Sequence, residues 1–221
     1  LLGLYGEWDK AEQQLRTLAG AEPKAMMMGS VYGQVLSAMR TRARVMAGAE
    51  RARSLVGSEP WVEGLLDALQ AHGKDAPDAA ARSDAALEAA PATPGTMDGE
   101  AFAWIADADL RFGPMLEAIV GDQYGLVPFA ALKRIKLSEP QDLRDTVWLP
   151  VELETRSGQT SMAFTPVLYP GTETSGDPQL MLARRTDWRE TPGGEAGLGQ
   201  RVLTTDGPEN GILAVRDIRL G

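Results

Sequence analysis

The sequence predicts an α+β fold in which an all-α domain, residues 1–91, precedes a β-rich domain, residues 100–221. Three observations predict it. Apolar residues recur at helical spacing through the first part of the chain. The segment Pro91–Gly99 contains two prolines and two glycines, which end any helix. Beyond this segment apolar and polar residues alternate, as they do in strands with one buried face.

The first helix follows Gly6. Trp8, Ala11 and Leu15 share one face of it, and Pro23 closes the segment. An aromatic residue, a small residue and a larger apolar residue before a closing proline match the second helix of a tetratricopeptide-type repeat. We therefore expect residues 1–91 to form a tetratricopeptide-like helical array. Because such a repeat pairs two helices, we also expect the natural chain to extend N-terminal to residue 1.

Three further helices are predicted in the same domain. The second begins near Pro23, the third opens with Ser58-Glu59-Pro60 and is closed by Gly73, and the fourth spans Asp78–Ala90. The second carries a continuous apolar stripe formed by Met28, Tyr32, Val35, Met39 and Met46. Helical arrays of this kind typically present a groove to peptides.

The second domain is predicted to be a small barrel-like sheet of mostly antiparallel strands. Met115–Val120 and Gln123–Val127 flank Gly121-Asp122, which is a two-residue hairpin signal. Apolar residues three apart in Pro128–Leu137 predict a short helix. Further strands are predicted at residues 147–154, Thr160–Leu168, Leu180–Ala183, Gln200–Thr204 and Gly211–Ile218.

The composition excludes several classes of function. Without cysteine the chain has no disulfide, thiolate nucleophile or thiolate metal site, and its single histidine, His72, excludes multi-histidine metal sites. Residues 1–91 hold 10 basic and 12 acidic residues (−2), while residues 92–221 hold 12 and 19 (−7). The acidic second half disfavours nucleic acid and anionic membranes as partners. We expect no membrane insertion, since the apolar runs are short.

Asp107, Asp109 and Arg111 form the most informative charged motif. On a strand these residues share one face, so both carboxylates reach the same point. A divalent cation is one occupant of such a pair, which leaves a metal-dependent enzyme as an alternative. Arg111 would instead neutralise the carboxylates. We therefore expect a structural ion-pair network and no metal or other cofactor.

A second charged cluster contains Arg144 and Asp145. We expect both to belong to the same partly buried network, with Arg144 paired to Asp107 or Asp109. The chain contains no phosphate-binding loop, nucleophile elbow or zinc-protease motif, so we expect no enzymatic activity.

Five arginines cluster around the end of the second helix. Their favoured interpretation is a solvated face that complements the helix C-terminus, and the alternative is a binding surface for an acidic partner. They are Arg40, Arg42, Arg44, Arg51 and Arg53.

Two motifs resemble the ImpE/TagJ (SciE-like) family, accessory proteins of bacterial type VI secretion. They are Trp104-Ile105-Ala106-Asp107-Ala108-Asp109 and Leu143-Arg144-Asp145 with Trp148. The resemblance continues through Tyr169-Pro170-Gly171, Trp188 and Gly199-Gln200-Arg201.

The resemblance implies a non-enzymatic, cytoplasmic bacterial adaptor. It would bind the N-terminal helix of the small subunit of the contractile sheath and influence sheath assembly or disassembly. The alternative is a scaffold that binds another secretion component through the arginine face. Six aromatic positions of the family motifs are expected to line a partner groove: Trp104, Tyr124, Phe129, Trp148, Tyr169 and Trp188.

Overall fold

A computed structural model describes residues 2–21 and 25–221 and shows an α+β fold. Helix α1 spans Trp8–Ala21, α2 Met26–Met46, α3 Pro60–Gly73, α4 Ala79–Ala89 and α5 Pro178–Met181. The start of α3 at Pro60 and its end at Gly73 are confirmed. Proline fits in the first turn because the N–H that it lacks would have no hydrogen-bond partner there. The predicted boundary at Pro23 lies outside the described residues.

The strands are short. They are β1 Gly95–Met97, β2 Glu100–Phe102, β3 Ile105–Asp107, β4 Met115–Val120, β5 Gln123–Pro128, β6 Leu132–Leu137, β7 Trp148–Thr155, β8 Thr160–Pro166, β9 Thr186–Thr191, β10 Gly194–Gly199, β11 Val202–Thr205, β12 Asn210–Gly211 and β13 Asp217–Leu220. Among the described residues the main antiparallel sheet has the order β2-β1-β13-β6-β7-β8-β4-β5. Strands β12, β11 and β3 form a second sheet, and β9 and β10 form a separate hairpin.

The hairpin predicted at Gly121-Asp122 is confirmed, since β4 and β5 pair with Val120 opposite Gln123. The helix predicted over Pro128–Leu137 is wrong. One 3₁₀ turn at Phe129–Ala131 leads into β6, which pairs with β7. A register shift between Leu132 and Arg134 inserts an extra residue, so two buried positions fall three apart and imitate helical spacing.

The strand predicted at Leu180–Ala183 is also wrong. That segment overlaps α5, whose N-cap Asp177 accepts a hydrogen bond from the N–H of Gln179 at 2.7 Å. Pro178 then occupies the first helical position. An N-cap followed directly by proline favours a helical turn over an extended strand.

The helices and the main sheet share one continuous hydrophobic core. Trp148 at the start of β7 contacts two rings from the helices, that of Trp8 at 6.3 Å and that of Tyr32 at 6.0 Å between centroids. The connection after α2 runs beside β5, where the N–H of Leu55 donates to the carbonyl oxygen of Leu126 at 2.8 Å. Within the described part of the chain, every helix is too short or too polar to cross a bilayer.

Candidate functional site

The loop after β3 is shaped by its two buried aspartates. Asp107 is the last residue of β3, and its Oδ1 accepts the N–H of Asp109 at 2.9 Å. Asp109 repeats the arrangement, since its Oδ1 accepts the N–H of Arg111 at 3.1 Å. A side-chain oxygen that accepts an N–H two residues later stabilises a turn. The Asp-x-Asp-x-Arg spacing therefore folds this loop locally.

Asp109 and Arg111 form a local ion pair. The guanidinium donates to the Asp109 carboxylate from Nε at 2.9 Å and from Nη2 at 2.6 Å. The same carboxylate accepts the N–H of Gly197 in β10 at 2.9 Å. Asp109 thus fixes both its own loop and the neighbouring β9–β10 hairpin.

Arg201 lies at the centre of the buried charges and is itself fully buried. Its Nη1 donates to Asp107 and its Nη2 donates to Glu117. The guanidinium lies beside the stacked rings of Phe112 and Tyr169, with their centroids 4.7 and 5.0 Å from its central carbon. A planar cation that bonds two carboxylates and stacks on two rings requires arginine, because lysine offers neither the plane nor the fork.

Glu117 on β4 connects the sheet to α2. Arg42 on α2 donates Nε to Oε1 of Glu117 at 2.7 Å and Nη2 to Oε2 at 2.9 Å. The hydroxyl of Tyr124 in β5 also donates to Oε1. All three side chains are buried. A buried ion pair is tolerated only when its lone pairs and protons are satisfied, and here several donors converge on one carboxylate.

The six charged side chains of this buried ionic cluster balance one another. Three carboxylates, those of Asp107, Asp109 and Glu117, face three guanidiniums, those of Arg42, Arg111 and Arg201.

The pKa values of two cluster carboxyls move in opposite directions. Burial alone would raise the pKa of Glu117, but the charges of Arg42 and Arg201 outweigh it and lower the pKa from an ordinary 4.5 to about 2. Burial raises the pKa of Asp107 to about 6, and the charge of Arg201 opposes this rise without cancelling it. Glu117 is therefore the firmly ionised member of the cluster.

The predicted contact of Arg144 with Asp107 or Asp109 is wrong. Arg144 donates through Nε to Asp142 at 3.0 Å and its side chain is half exposed. The backbone N–H of Arg144 also donates to Asp142 at 2.8 Å. Asp142, two residues earlier in the same turn, is therefore the carboxylate that pairs with Arg144. The guanidinium lies over the ring of Tyr32, 5.2 Å from its centroid.

Asp145 also lies outside the buried ionic cluster. It is buried, but its carboxylate accepts the N–H of Gln141 at 2.8 Å and so closes a turn before β7. Its role is therefore local.

The expected partner groove is wrong for four of its six aromatic positions, because their side chains lie in the core: Tyr124, Phe129, Trp148 and Tyr169. Two of them serve the cluster, since Tyr169 donates its hydroxyl to Asp107 at 2.6 Å, as Tyr124 does to Glu117. Trp104 and Trp188 remain accessible, with 38% and 37% of their surfaces exposed.

The sequence did not predict the buried contacts that Arg42 and Arg201 make with Glu117. For Arg42 a signal existed: it lies three residues after Met39 and four before Met46, on the apolar stripe of α2. A charged residue on a buried face needs a buried counter-charge. The motifs that contain Glu117 and Arg201 did not indicate their partners, because their contacts join distant parts of the chain.

The structure gives the metal-site alternative no support. The carboxylates of Asp107 and Asp109 are engaged by Arg201 and Arg111. Over residues 2–21 and 25–221, no three Asp, Glu or His side chains gather closely enough to hold a metal ion. Both carboxylates thus already have cationic partners within this chain.

The arginines around the end of α2 do not form a free basic face. Four of the five contact carboxylates of this chain: Arg40 with Asp9 and Glu12, Arg42 with Glu117, Arg44 with Glu50, and Arg51 with Glu63 and Asp67. This pairing removes the surplus positive charge on which an acidic partner would depend.

Comparisons with known proteins agree with the motifs. The model of the family described as ImpE protein matches residues 99–219. The chain is 35% identical over 224 residues to the type VI secretion system accessory component TagJ of Pseudomonas aeruginosa, covering 99% of this chain and 77% of that protein. The crystal structure of protein VPA1032 from Vibrio parahaemolyticus shares the fold, with a TM-score of 0.88 at 19% identity over 100% of this chain and 83% of that one. The chain therefore belongs to the ImpE family.

Proposed function

We propose that this protein is a non-enzymatic, cytoplasmic accessory component of type VI secretion that acts by binding another polypeptide. Its 35% identity to an accessory component of that system supports the general role. The finer proposal is that it binds the N-terminal helix of the small subunit of the contractile sheath and influences sheath assembly or disassembly.

One observation carries the proposal: the residues that look most like catalytic machinery neutralise one another inside the protein. Asp107 and Glu117 share Arg201, and Glu117 also binds Arg42. A general acid or base must reach the proton that it transfers. Glu117 instead joins α2 to the main sheet, and Arg201 joins Glu117 to Asp107 on β3, which favours a structural role for the cluster and a surface-binding role for the protein.

The accessible surface offers anchors for a partner. Several large apolar side chains of the described residues remain exposed: Leu18, Met26, Met27, Trp104, Leu110 and Trp188. Exposed methionines adapt to different partner shapes, and tryptophans are frequent energetic centres of interfaces. A tetratricopeptide-like array in residues 1–91 and a barrel-like β domain in residues 100–221 stay predictions that suit such a role.

Isothermal titration calorimetry with the synthetic N-terminal helix of the sheath small subunit tests the proposal. We expect a dissociation constant on the order of 1 μM, equivalent to about −8 kcal/mol. The matched control is the same peptide with its large apolar residues replaced by serine, which removes the apolar anchors. Absence of heat at about 100 μM helix, well above that constant, would reject the sheath helix as partner.

A further inference from the structure

A groove lies between the helices α3 and α4 and the β9–β10 hairpin. Its volume is about 480 Å³. The hairpin closely approaches the end of α3 at Gly193, where a Cβ would lie 2.2 Å from Nδ1 of His72. A side chain at Gly193 would push the hairpin away, so glycine there sets the width of the groove.

Apolar side chains form part of the groove surface. Trp188 on β9 lies against Tyr169, with 5.9 Å between ring centroids, and keeps more than a third of its surface exposed. Leu110, from the loop after β3, is 59% exposed and lines the same groove. A tryptophan held from behind by a buried ring is preorganised to receive a ligand group on its free surface.

The rim of the groove carries negative charge. Asp84, Glu195 and Glu209 line it and are exposed, and none of them belongs to an ion pair formed between described residues. The guanidinium of Arg111 also lines the groove, but Asp109 already neutralises it. These charges leave three carboxylates without compensation, so the groove attracts cations.

His72 adds no positive charge at neutral pH. Its Nε2 lies 2.8 Å from Oγ of the buried Ser83. Burial and the nearby charge of Arg111 lower the pKa of the imidazole, which is therefore neutral at pH 7.

We propose that this groove binds a basic, aliphatic segment of a partner polypeptide, with an arginine or lysine side chain against Trp188. The cation would interact with the indole ring and with the carboxylates of Glu195 and Glu209, while a neighbouring aliphatic side chain contacts Leu110. This inference deepens the proposed function, on which it rests only for the partner being a polypeptide. The acidic rim opposes nucleic acid and anionic lipid in the same place.

Fluorescence anisotropy tests the groove with a labelled peptide of repeating alanine, arginine and leucine. The comparison peptide carries citrulline, an uncharged analogue, in place of arginine. We expect the arginine peptide to bind at least about tenfold more tightly, and the difference to shrink at high salt because exposed charges are screened. Glu195→Lys/Glu209→Lys should weaken the arginine peptide about tenfold or more.

The matched control is Glu100→Lys/Asp122→Lys, which makes the same change in net charge at exposed positions on β2 and in the β4–β5 turn. It should leave binding of the arginine peptide nearly unchanged. The proposal that the groove binds a basic segment would be refuted by equal affinity for the two peptides or by no binding of either. An equal loss of affinity for the arginine peptide in both double variants would also refute it.

Calorimetry of the wild-type protein with the sheath helix, compared with the anisotropy assay, separates the two proposals. If the wild-type protein binds the sheath helix while the arginine peptide fails its test, the groove is refuted and the proposed partner stands. If the arginine peptide behaves as expected and the sheath helix does not bind, the proposed partner is refuted and the groove stands.

Discussion

Replacing Arg201 by methionine tests whether the buried ionic cluster stabilises the fold. Methionine keeps much of the volume and can still pack against Phe112 and Tyr169, so the change mainly removes the charge. Asp107 would lose its guanidinium, while Glu117 would keep Arg42. Removing one partner of a buried pair destabilises a protein by about 3–5 kcal/mol. We expect that loss in the free energy of unfolding at pH 7.5.

Urea denaturation monitored by tryptophan fluorescence measures this loss of stability. We expect a lower midpoint and a similar dependence of the free energy of unfolding on urea concentration. The matched control is Arg144→Met, because the pair of Arg144 with Asp142 is about half exposed and such pairs contribute at most about 1 kcal/mol. The double variant Arg201→Met/Asp107→Asn should be more stable than Arg201→Met, since it leaves no unpaired carboxylate at Asp107. A loss for Arg201→Met no larger than that for Arg144→Met would refute the reasoning.

Three further predictions concern the same region. Glu117 has a folded pKa of about 2, so its contribution to the free energy of unfolding is complete above pH 4.5 and is lost as the pH falls from there toward 2. In urea melts across that range, the free energy of unfolding should fall by about 3 kcal/mol less in Glu117→Gln than in the wild-type protein. Tyr124→Phe removes one donor to Glu117 and should lower the free energy of unfolding by about 1–2 kcal/mol in urea melts at pH 7.5, and an unchanged midpoint would contradict the hydrogen bond. Gly113 has a φ of 50° and a Cβ there would lie 2.5 Å from Cδ2 of Leu87, so Gly113→Ala should lose about 1–3 kcal/mol in thermal or urea melts. Adding Leu87→Ala should restore the part that comes from the overlap, and equal effects of Gly113→Ala in both backgrounds would argue against that contact.

Local patterns predicted the β4–β5 hairpin and the start of α3. The Gly121-Asp122 turn needs only its flanking strands, and the proline at the start of α3 acts within a single turn. The prediction failed over Pro128–Leu137 because the extra residue between Leu132 and Arg134 breaks the two-residue alternation by which strands are recognised. A bulge depends on the opposite strand, which a single sequence does not reveal.

The candidate site was predicted only where its contacts are local. Asp109 and Arg111 are two residues apart, and their pairing follows from their spacing. The partner of Asp107 is Arg201, 94 positions later, and several arginines compete for that role in the sequence. Arg144 was the wrong choice among them because Asp142 is much nearer to it along the chain. Long-range charge pairing is set by the packing of the whole core, so composition and spacing do not determine it.

The contact between Arg42 and Glu117 affects where a fragment of this protein should begin. The stretch that the family model matches starts at residue 99, whereas Arg42 belongs to α2. A fragment that begins there would keep Glu117 on β4 and lose Arg42, one of the two arginines that pair with it. We therefore expect a fragment that begins at residue 99 to be less stable than one that retains α2, and fragments prepared for binding experiments should include that helix.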